Sequence, residues 1–152
     1  MGASQQKIDF SDFNLKIFPA DVRILSQLLP ADSVDVIVTE PYLGPVDKNK
    51  DSHQIRKIIT ELSELYLAAF RELKQILKKD GRLVMAFPVY KHGQQLNYLP
   101  IIKEIKEYGW QVVSPLPSTL IKSPIIKLTE RQSIIYSRPD QQVLREIFIF
   151  RR

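Results

Sequence analysis

The sequence contains no cysteine, only two histidines and only five glycines. Without cysteine the chain can form neither disulfide bonds nor thiolate metal sites, and it has no cysteine nucleophile. The histidines, His53 and His92, lie far apart with no ligand spacing around them, so we expect no metal site. The glycines include no G-x-G pair, so the glycine-rich turn that binds a nucleotide cofactor in many α/β enzymes is absent.

Long apolar runs are also missing from the sequence. No stretch approaches the ~20 apolar residues of a membrane span, and the N-terminus lacks the apolar core of a signal peptide. The 152 residues are 44% hydrophobic and 26% charged, which is typical of one soluble domain. We therefore expect a cytoplasmic protein with no membrane partner.

Positive charge is concentrated in the second half of the chain. Residues 1–76 hold 9 Lys and Arg against 11 Asp and Glu, whereas residues 77–152 hold 13 against 6. The net charges are −2 and +7, which add to the +5 of the whole chain. A basic half is suited to a polyanionic partner such as RNA or DNA. The alternative is a charged surface that keeps the protein soluble.

Two apolar runs that end in proline indicate strands buried on both faces. The first covers residues 34–39 and stops at Glu40, Pro41 and Tyr42, and the second covers residues 82–87. Between them, apolar residues recur at three and four positions over residues 54–79, which predicts one long amphipathic helix. Because ligands bind outside the carboxyl ends of parallel strands, residues 40–42 would face the functional crevice.

The remaining chain is predicted to complete one α/β domain over residues 14–152, after a polar lead-in at residues 1–13. The other predicted segments are a strand at 15–18, a helix at 22–29, a helix at 100–108, a strand at 110–113, an irregular region at 114–129, and two antiparallel strands at 133–136 and 143–150.

This order of elements, with "DVIVTEPYLGP", "KKDGRLVMAFP", "YGW" and "VLREIFIFRR", resembles the second half of class I S-adenosylmethionine-dependent methyltransferases. It is most similar to the RNA methylases that include the tRNA guanosine-N2 methyltransferases, and more distantly to adenine-specific DNA methylases. The resemblance covers about residues 13–152. It implies a Rossmann-like methyltransferase sheet, mostly parallel with an antiparallel end, that lacks the first two βα units.

The resemblance also implies roles for the residues after the first buried strand. Glu40 would accept hydrogen bonds from the amino group to be methylated, Pro41 would fix the turn, and Tyr42 would stack on the base. The family has two prolines where this sequence has one, so the alignment of Tyr42 with the family's aromatic residue requires a deletion. The structural alternative is a strand that simply ends in a turn.

Asp21 and Val22 lie where the family binds the adenine of the cofactor, S-adenosylmethionine. Asp21 could equally be a helix N-cap, and the two roles are compatible. Leu43 and Lys91 are the predicted substrate contacts. Further candidates are basic residues that could follow phosphates and aromatic residues that could stack on bases. They are Arg131, Arg138, Arg145, Arg151, Arg152, Tyr90, Trp110 and Tyr136.

The sequence therefore predicts transfer of a methyl group to an exocyclic amino group of a base in RNA, with tRNA guanosine as the expected target and DNA as a further possibility. Because the glycine-rich loop is missing, the cofactor would need the missing half of the fold. A second chain or a homodimer is expected to cover the open sheet edge. The alternative is a non-catalytic nucleic-acid-binding or assembly module.

Overall fold

A mixed six-stranded sheet organises the chain, and the computed structural model describes residues 14–45, 50–120 and 126–152. The elements in chain order are a 3₁₀ helix (Val22–Gln27), β1 (Val34–Thr39), α1 (Ser52–Ile76), β2 (Leu77–His92), β3 (Gln95–Tyr98), α2 (Ile102–Glu107), β4 (Gln111–Val113), β5 (Ile134–Tyr136) and β6 (Val143–Arg151).

The main path through the sheet runs β1-β2-β6-β4. β1 pairs parallel with β2, and β6 is inserted antiparallel between β2 and β4. β1, β2 and β4 therefore point in the same direction, which agrees with the predicted parallel sheet with an antiparallel end. β3 forms a hairpin with β2, and β5 adds to the outer side of β6 near its start.

Aromatic side chains fill the space between the sheet and α1. The register aligns Phe87 and Met85 of β2 with Glu146 and Phe148 of β6, so these side chains share one face. The Phe87 ring lies 5.1 Å from that of Tyr66 and 5.0 Å from that of Phe148. These buried edge-to-face and tilted contacts attach the long helix to the middle of the sheet.

The opposite face of the sheet is open. Val36 and Val38 of β1 are 56% and 74% exposed, and they align with Arg82 and Val84 of β2. Nothing in the described part of the chain buries them, and no described strand pairs with the outer side of β1. An α/β sheet normally has helices on both faces, and the sequence predicts burial of residues 34–39 on both. In the described part of the chain β1 is covered on one face alone, so that prediction is wrong for this strand.

One prediction at the start of the domain is wrong, and a second holds in part. Residues 15–18 form no strand, and Leu15 and Ile17 are 68% and 87% exposed. An alternating run of this length needs a neighbouring strand, and the described sheet offers it none. The predicted helix at 22–29 is instead the 3₁₀ helix, interrupted at Ile24 by a φ of −131°.

The long helix begins near the predicted position and ends earlier. At its start Asp51 accepts from the Gln54 amide, and Gln54 accepts from the Asp51 amide, which forms a capping box. Leu77 is already extended, with ψ of 134°, because it pairs with Val34 of β1. The predicted last turn at residues 77–79 is therefore the start of β2.

β2 is also longer than predicted at its carboxyl end. Residues 91–95 contain the β2–β3 turn, in which Gly93 has a φ of +59°. The region 114–129 has no helix or strand in its described residues, as expected. The lead-in at residues 1–13 lies outside the described residues. In the described part of the chain, no helix has both the length and the apolar character of a membrane span.

Candidate functional site

A cavity of about 490 Å³ lies between β1, α1 and the 3₁₀ helix. Four predicted site residues line it, although two come from before β1 and two from after it: Asp21, Val22, Pro41 and Tyr42. Most other lining side chains are apolar. They are Ala20, Leu25, Ile37, Leu65, Ala69, Leu73 and Met85, with the hydroxyls of Thr39 and Tyr66 among them. The predicted cofactor and catalytic segments therefore meet at one cavity.

Strand alternation decides which residues near the end of β1 line this cavity. Ile37 and Thr39 share the face that packs toward α1, whereas Val38 and Glu40 lie on the other face. Glu40 does not line the cavity. Arg145 of β6 donates to the Glu40 carboxylate through Nε and Nη2, at 2.8 and 2.9 Å. These hydrogen bonds hold the pKa of Glu40 below its usual value, so its carboxylate is an anionic acceptor and a poor base.

Two tyrosine hydroxyls hold the backbone of the turn after β1. Tyr66 of α1 donates to the carbonyl of Tyr42 at 3.3 Å, and Tyr90 of β2 donates to the carbonyl of Leu43 at 2.7 Å. Burial raises the pKa of Tyr90 to about 12 and raises that of Tyr66 as well, so both remain donors. The Tyr42 ring is 61% exposed at the edge of the cavity.

Asp21 has the N-cap role that the sequence predicts. Its carboxylate accepts from the Arg23 amide at 2.9 Å and from the Arg23 guanidinium. Both sets of bonds lower the pKa of Asp21 to about 2. The carboxylate is therefore ionised where it borders the cavity, next to the apolar side chain of Val22.

The two predicted substrate contacts lie outside this cavity. Leu43 is half-buried and packs against the core. Lys91 lines a second, more polar cavity of about 430 Å³ beside the loop at residues 137–142. The described residues contain no cluster of acidic or histidine side chains that could hold a metal ion.

Three of the further nucleic-acid candidates are already engaged within the molecule. Tyr90 and Trp110 are each 2% exposed, and their polar atoms bond to the carbonyls of Leu43 and Phe70. They cannot stack on a base. Arg131 forms an ion pair with the fully buried Glu146, so its charge is already matched.

Sequence reasoning missed Tyr66 as part of the site, and it named Arg145 only as a possible phosphate contact, without its bond to Glu40. Tyr66 belongs to the predicted apolar stripe of the helix, where its hydroxyl was the available signal, because a buried tyrosine usually needs a hydrogen-bond partner. Arg145 had no comparable signal. Its partner Glu40 lies 105 positions away in the chain, and the strand order that joins them is a property of the whole sheet.

No protein-family model matches the sequence, and no curated protein matches it. Solved structures do. A protein from Thermus thermophilus described as a "Putative DNA Modification Methylase" matches with a TM-score of 0.53 and 19% identity, over 88% of this chain and 52% of its own. The chain has a methyltransferase-like fold. It spans about half the length of that methylase.

Two further matches have lower TM-scores. The same Thermus thermophilus protein complexed with S-adenosyl-L-methionine has a TM-score of 0.46 and 17% identity, over 87% of this chain and 51% of its own. The PvuII DNA methyltransferase, which is cytosine-N4-specific, has a TM-score of 0.49 and 15% identity, over 87% of this chain and 47% of its own. At these identities the likeness concerns the fold alone.

Proposed function

We propose that this chain is the part of an S-adenosylmethionine-dependent methyltransferase that positions the amino group to be methylated. That group is an exocyclic amino group of a nucleic-acid base. One observation carries the proposal. Asp21 and Val22, predicted to bind the cofactor, and Pro41 and Tyr42, predicted to position the base, line the same cavity. The cavity lies at the carboxyl end of β1, where α/β sheets bind ligands.

The cavity suits the adenine end of the cofactor. Its volume of about 490 Å³ is within the ~300–1,000 Å³ of typical small-molecule sites. Val22, Leu25 and Ile37 offer apolar surface to a flat ring, and Asp21 is an acceptor for an amino group. When bound, the cofactor supplies an activated methyl group. The described residues contain no glycine-rich turn for its methionine part, so the fit concerns the adenine end.

The residues of this chain would position the target base. The exposed ring of Tyr42 is available for stacking, with its backbone held by Tyr66. Glu40 accepts two hydrogen bonds from Arg145, and a carboxylate has about four acceptor sites. Acceptor sites of Glu40 therefore remain for a base amino group that reaches its side of β1, outside the cavity. Aiming the amine at the methyl carbon is most of the catalytic task.

We propose RNA as the substrate, with guanosine in tRNA as the specific target, and a cytoplasmic location. The basic second half of the chain and the family resemblance support this choice. The Thermus thermophilus protein with the similar fold is described as a DNA modification methylase, which supports DNA as the alternative. Both substrates present the same chemistry, an amino group on an unstacked base.

A second candidate function is a non-catalytic nucleic-acid-binding or assembly module. Two observations favour it. The sequence lacks a glycine-rich cofactor turn, and the carboxylates of Asp21 and Glu40 are both engaged by arginines. Such a module would keep the basic surface and have no use for the cavity.

We also propose that another chain or a second copy covers the open side of the sheet. The exposed valines of β1 and the free edge of that strand in the described sheet support this proposal. The covering element would bring apolar surface to Val36 and Val38. A partner of this kind would also be placed beside the cavity at the end of β1.

Isothermal titration of the full chain with S-adenosylmethionine, followed by methyl-transfer assays on tRNA and on DNA oligonucleotides, tests the enzymatic proposal. We expect saturable cofactor binding through the adenine end and, once the missing half of the fold is supplied, methyl transfer that Tyr42→Phe retains. Tyr42→Ala should lower transfer about tenfold, because base stacking on an aromatic ring contributes ~1–3 kcal/mol. If the cofactor does not bind at millimolar concentration while RNA still binds, the non-catalytic module is the correct function.

A further inference from the structure

The second cavity lies at the same sheet edge as the candidate site. The β2–β3 hairpin and the loop at residues 137–142 form its walls, and Lys91, Gly93 and Arg138 are among its lining residues. The Lys91 amide donates to the Gln142 carbonyl at 3.0 Å, which holds the hairpin against the loop. The cavity is therefore a concave surface built by two segments far apart in the chain.

The ion pairs divide the candidate phosphate contacts into engaged and available residues. Arg145 binds Glu40 and Arg151 lies 3.5 Å from Asp80. Arg152 bonds to Asp32, and Arg131 binds Glu146. In the described part of the chain, Lys91 and Arg138 form no ion pair, and both are exposed at the second cavity. Asp140 also lines this cavity and pairs with neither.

An exposed aromatic ring lies beside this cavity, at the end of β5. Tyr136 of β5 is 43% exposed, and Arg138 donates to its hydroxyl at 2.8 Å with the guanidinium 5.6 Å from the ring centre. Tyr136 aligns with Arg145 of β6, and Arg145 holds Glu40. The row Glu40, Arg145, Tyr136 and Arg138 is thus continuous across the carboxyl edge of the sheet.

The length of this row matches a few nucleotides. At this edge β5 is three strands away from β1, in the order β1-β2-β6-β5. Neighbouring strands are about 4.8 Å apart, so the row spans about 14 Å. A strand of nucleic acid with its target base at the end of β1 could therefore reach Tyr136 with a flanking nucleotide.

We propose that Tyr136, Arg138 and Lys91 bind single-stranded nucleic acid beside the target nucleotide. Tyr136 stacks on one base, and the two cations contact the adjoining phosphates. Single-stranded substrate is the class that fits, because a base must be unstacked to reach an aromatic side chain. The placement of the flanking nucleotide rests on the proposed function of the first cavity, whereas binding by these three residues does not.

Fluorescence anisotropy with labelled single-stranded RNA and DNA of equal sequence, at several salt concentrations, tests this inference on the full chain. Tyr136→Ala should weaken binding at least about fivefold, the lower end of measured base stacking, and Tyr136→Phe should bind like the wild type. Arg138→Ala and Lys91→Ala should each reduce the slope of log K against log salt concentration by about one. The oligonucleotide that binds more tightly, RNA or DNA, identifies the type of nucleic acid that the protein prefers.

Arg82→Ala is the matched control. Arg82 is an exposed arginine on the same strand as Lys91, in the first half of β2, roughly 30 Å away at ~3.3 Å per residue. Equal weakening by Arg82→Ala and Arg138→Ala would show a diffuse electrostatic surface and overturn the inference. Equal affinity for duplex and single strands would also overturn it. Circular dichroism melting of each variant establishes that it folds.

Combining these data with the cofactor titration separates the two proposals. Binding that depends on Tyr136 and Arg138, without any binding of S-adenosylmethionine, would leave this inference standing and reject the enzymatic function. Methyl transfer that is unaffected by Tyr136→Ala, Arg138→Ala and Lys91→Ala would support the enzymatic function and reject this inference.

Discussion

The residues of the turn after β1 show how single side chains divide the candidate site. Glu40 and Pro41 are adjacent in the sequence, yet Pro41 lines the cavity and Glu40 turns to Arg145 on the other face. Hydroxyl groups of Tyr66 and Tyr90 hold the carbonyls of the two residues that follow Pro41. The polar part of this site is therefore directed by hydrogen bonds from β2, β6 and α1, and the turn could not keep this shape by itself.

Gly44 makes the approach of Tyr90 possible, and Gly44→Ala should destabilise the protein. Its φ of +89° is unfavourable for alanine by about 1–2 kcal/mol. An added Cβ would lie 1.9 Å from the Tyr90 hydroxyl, so the bond to Leu43 would also be lost at a cost of about 1 kcal/mol. We expect a loss of roughly 2–3 kcal/mol in the free energy of unfolding, measured by urea denaturation.

Tyr90→Phe provides the control for this prediction. It removes the hydroxyl that the new Cβ would strike, so the double variant should be more stable than the sum of the two single losses predicts. If Gly44→Ala unfolds within about 0.5 kcal/mol of the wild type, roughly the scatter of neutral surface changes, the turn does not have this geometry.

Among the elements, β5 and β6 are joined by a buried charge. Glu146 is fully buried, accepts from the Ser133 hydroxyl at 2.6 Å and lies 3.0 Å from Arg131. The Arg131 guanidinium packs over the rings of Tyr98 and Phe148 and donates to the Leu99 carbonyl. One arginine thereby ties the turn before β5 to β6 and to the segment after β3.

Arg131→Ala should destabilise the protein at neutral pH by about 3 kcal/mol, because it leaves a buried carboxylate without its partner. Burial raises the pKa of Glu146, and loss of Arg131 would raise it further. A group with a raised folded-state pKa stabilises the fold at low pH and loses that contribution as the pH rises. The deficit of the variant should therefore shrink as the pH falls from about 7 to about 5.

Urea denaturation of the wild type and the variant at both pH values measures this effect. The effect of Arg131→Ala measured in a Glu146→Gln background is the control, because that background lacks the carboxyl group that titrates, so the stability difference between Glu146→Gln and the double variant should not depend on pH. A deficit that is equal at the two pH values would show that Arg131 acts through packing against Tyr98 and Phe148 alone.

At the scale of the whole molecule, the described residues form a sheet with one covered and one open face. α1 and the aromatic core cover one side, whereas Val36 and Val38 lie exposed on the other. The chain spans about half the length of the methylase that it resembles in fold. The candidate site lies at the end of β1, the strand that carries these exposed valines.

Val38→Lys tests whether another chain or a second copy covers the open face. Val38 is 74% exposed, so the substitution should change the stability of the isolated chain by less than about 0.5 kcal/mol. If copies associate through this face, the added charge should weaken association, as measured by sedimentation velocity over a range of concentrations. Thr60→Lys, on the exposed side of α1, adds the same charge elsewhere. A wild type that is monomeric at every concentration would rule out a homodimer.

The sequence by itself determined the elements whose periodicity comes from local burial. β1, the start of α1, the centre of β2, and β6 follow from apolar runs and helical spacing, and their order pointed to the methyltransferase-like sheet. The same reasoning failed at residues 15–18 and 77–79, where a strand depends on whether a neighbour is available to pair with it.

Only the tertiary structure decided how the site is assembled. Strand alternation sends Thr39 to the cavity and Glu40 away from it, and the insertion of β6 beside β2 brings Arg145 to Glu40. The same packing buries Tyr90 and leaves Tyr136 exposed. Residue type and spacing do not predict these contacts, because the contacts depend on strand order and register. Burial summed over the whole chain selects that order and register.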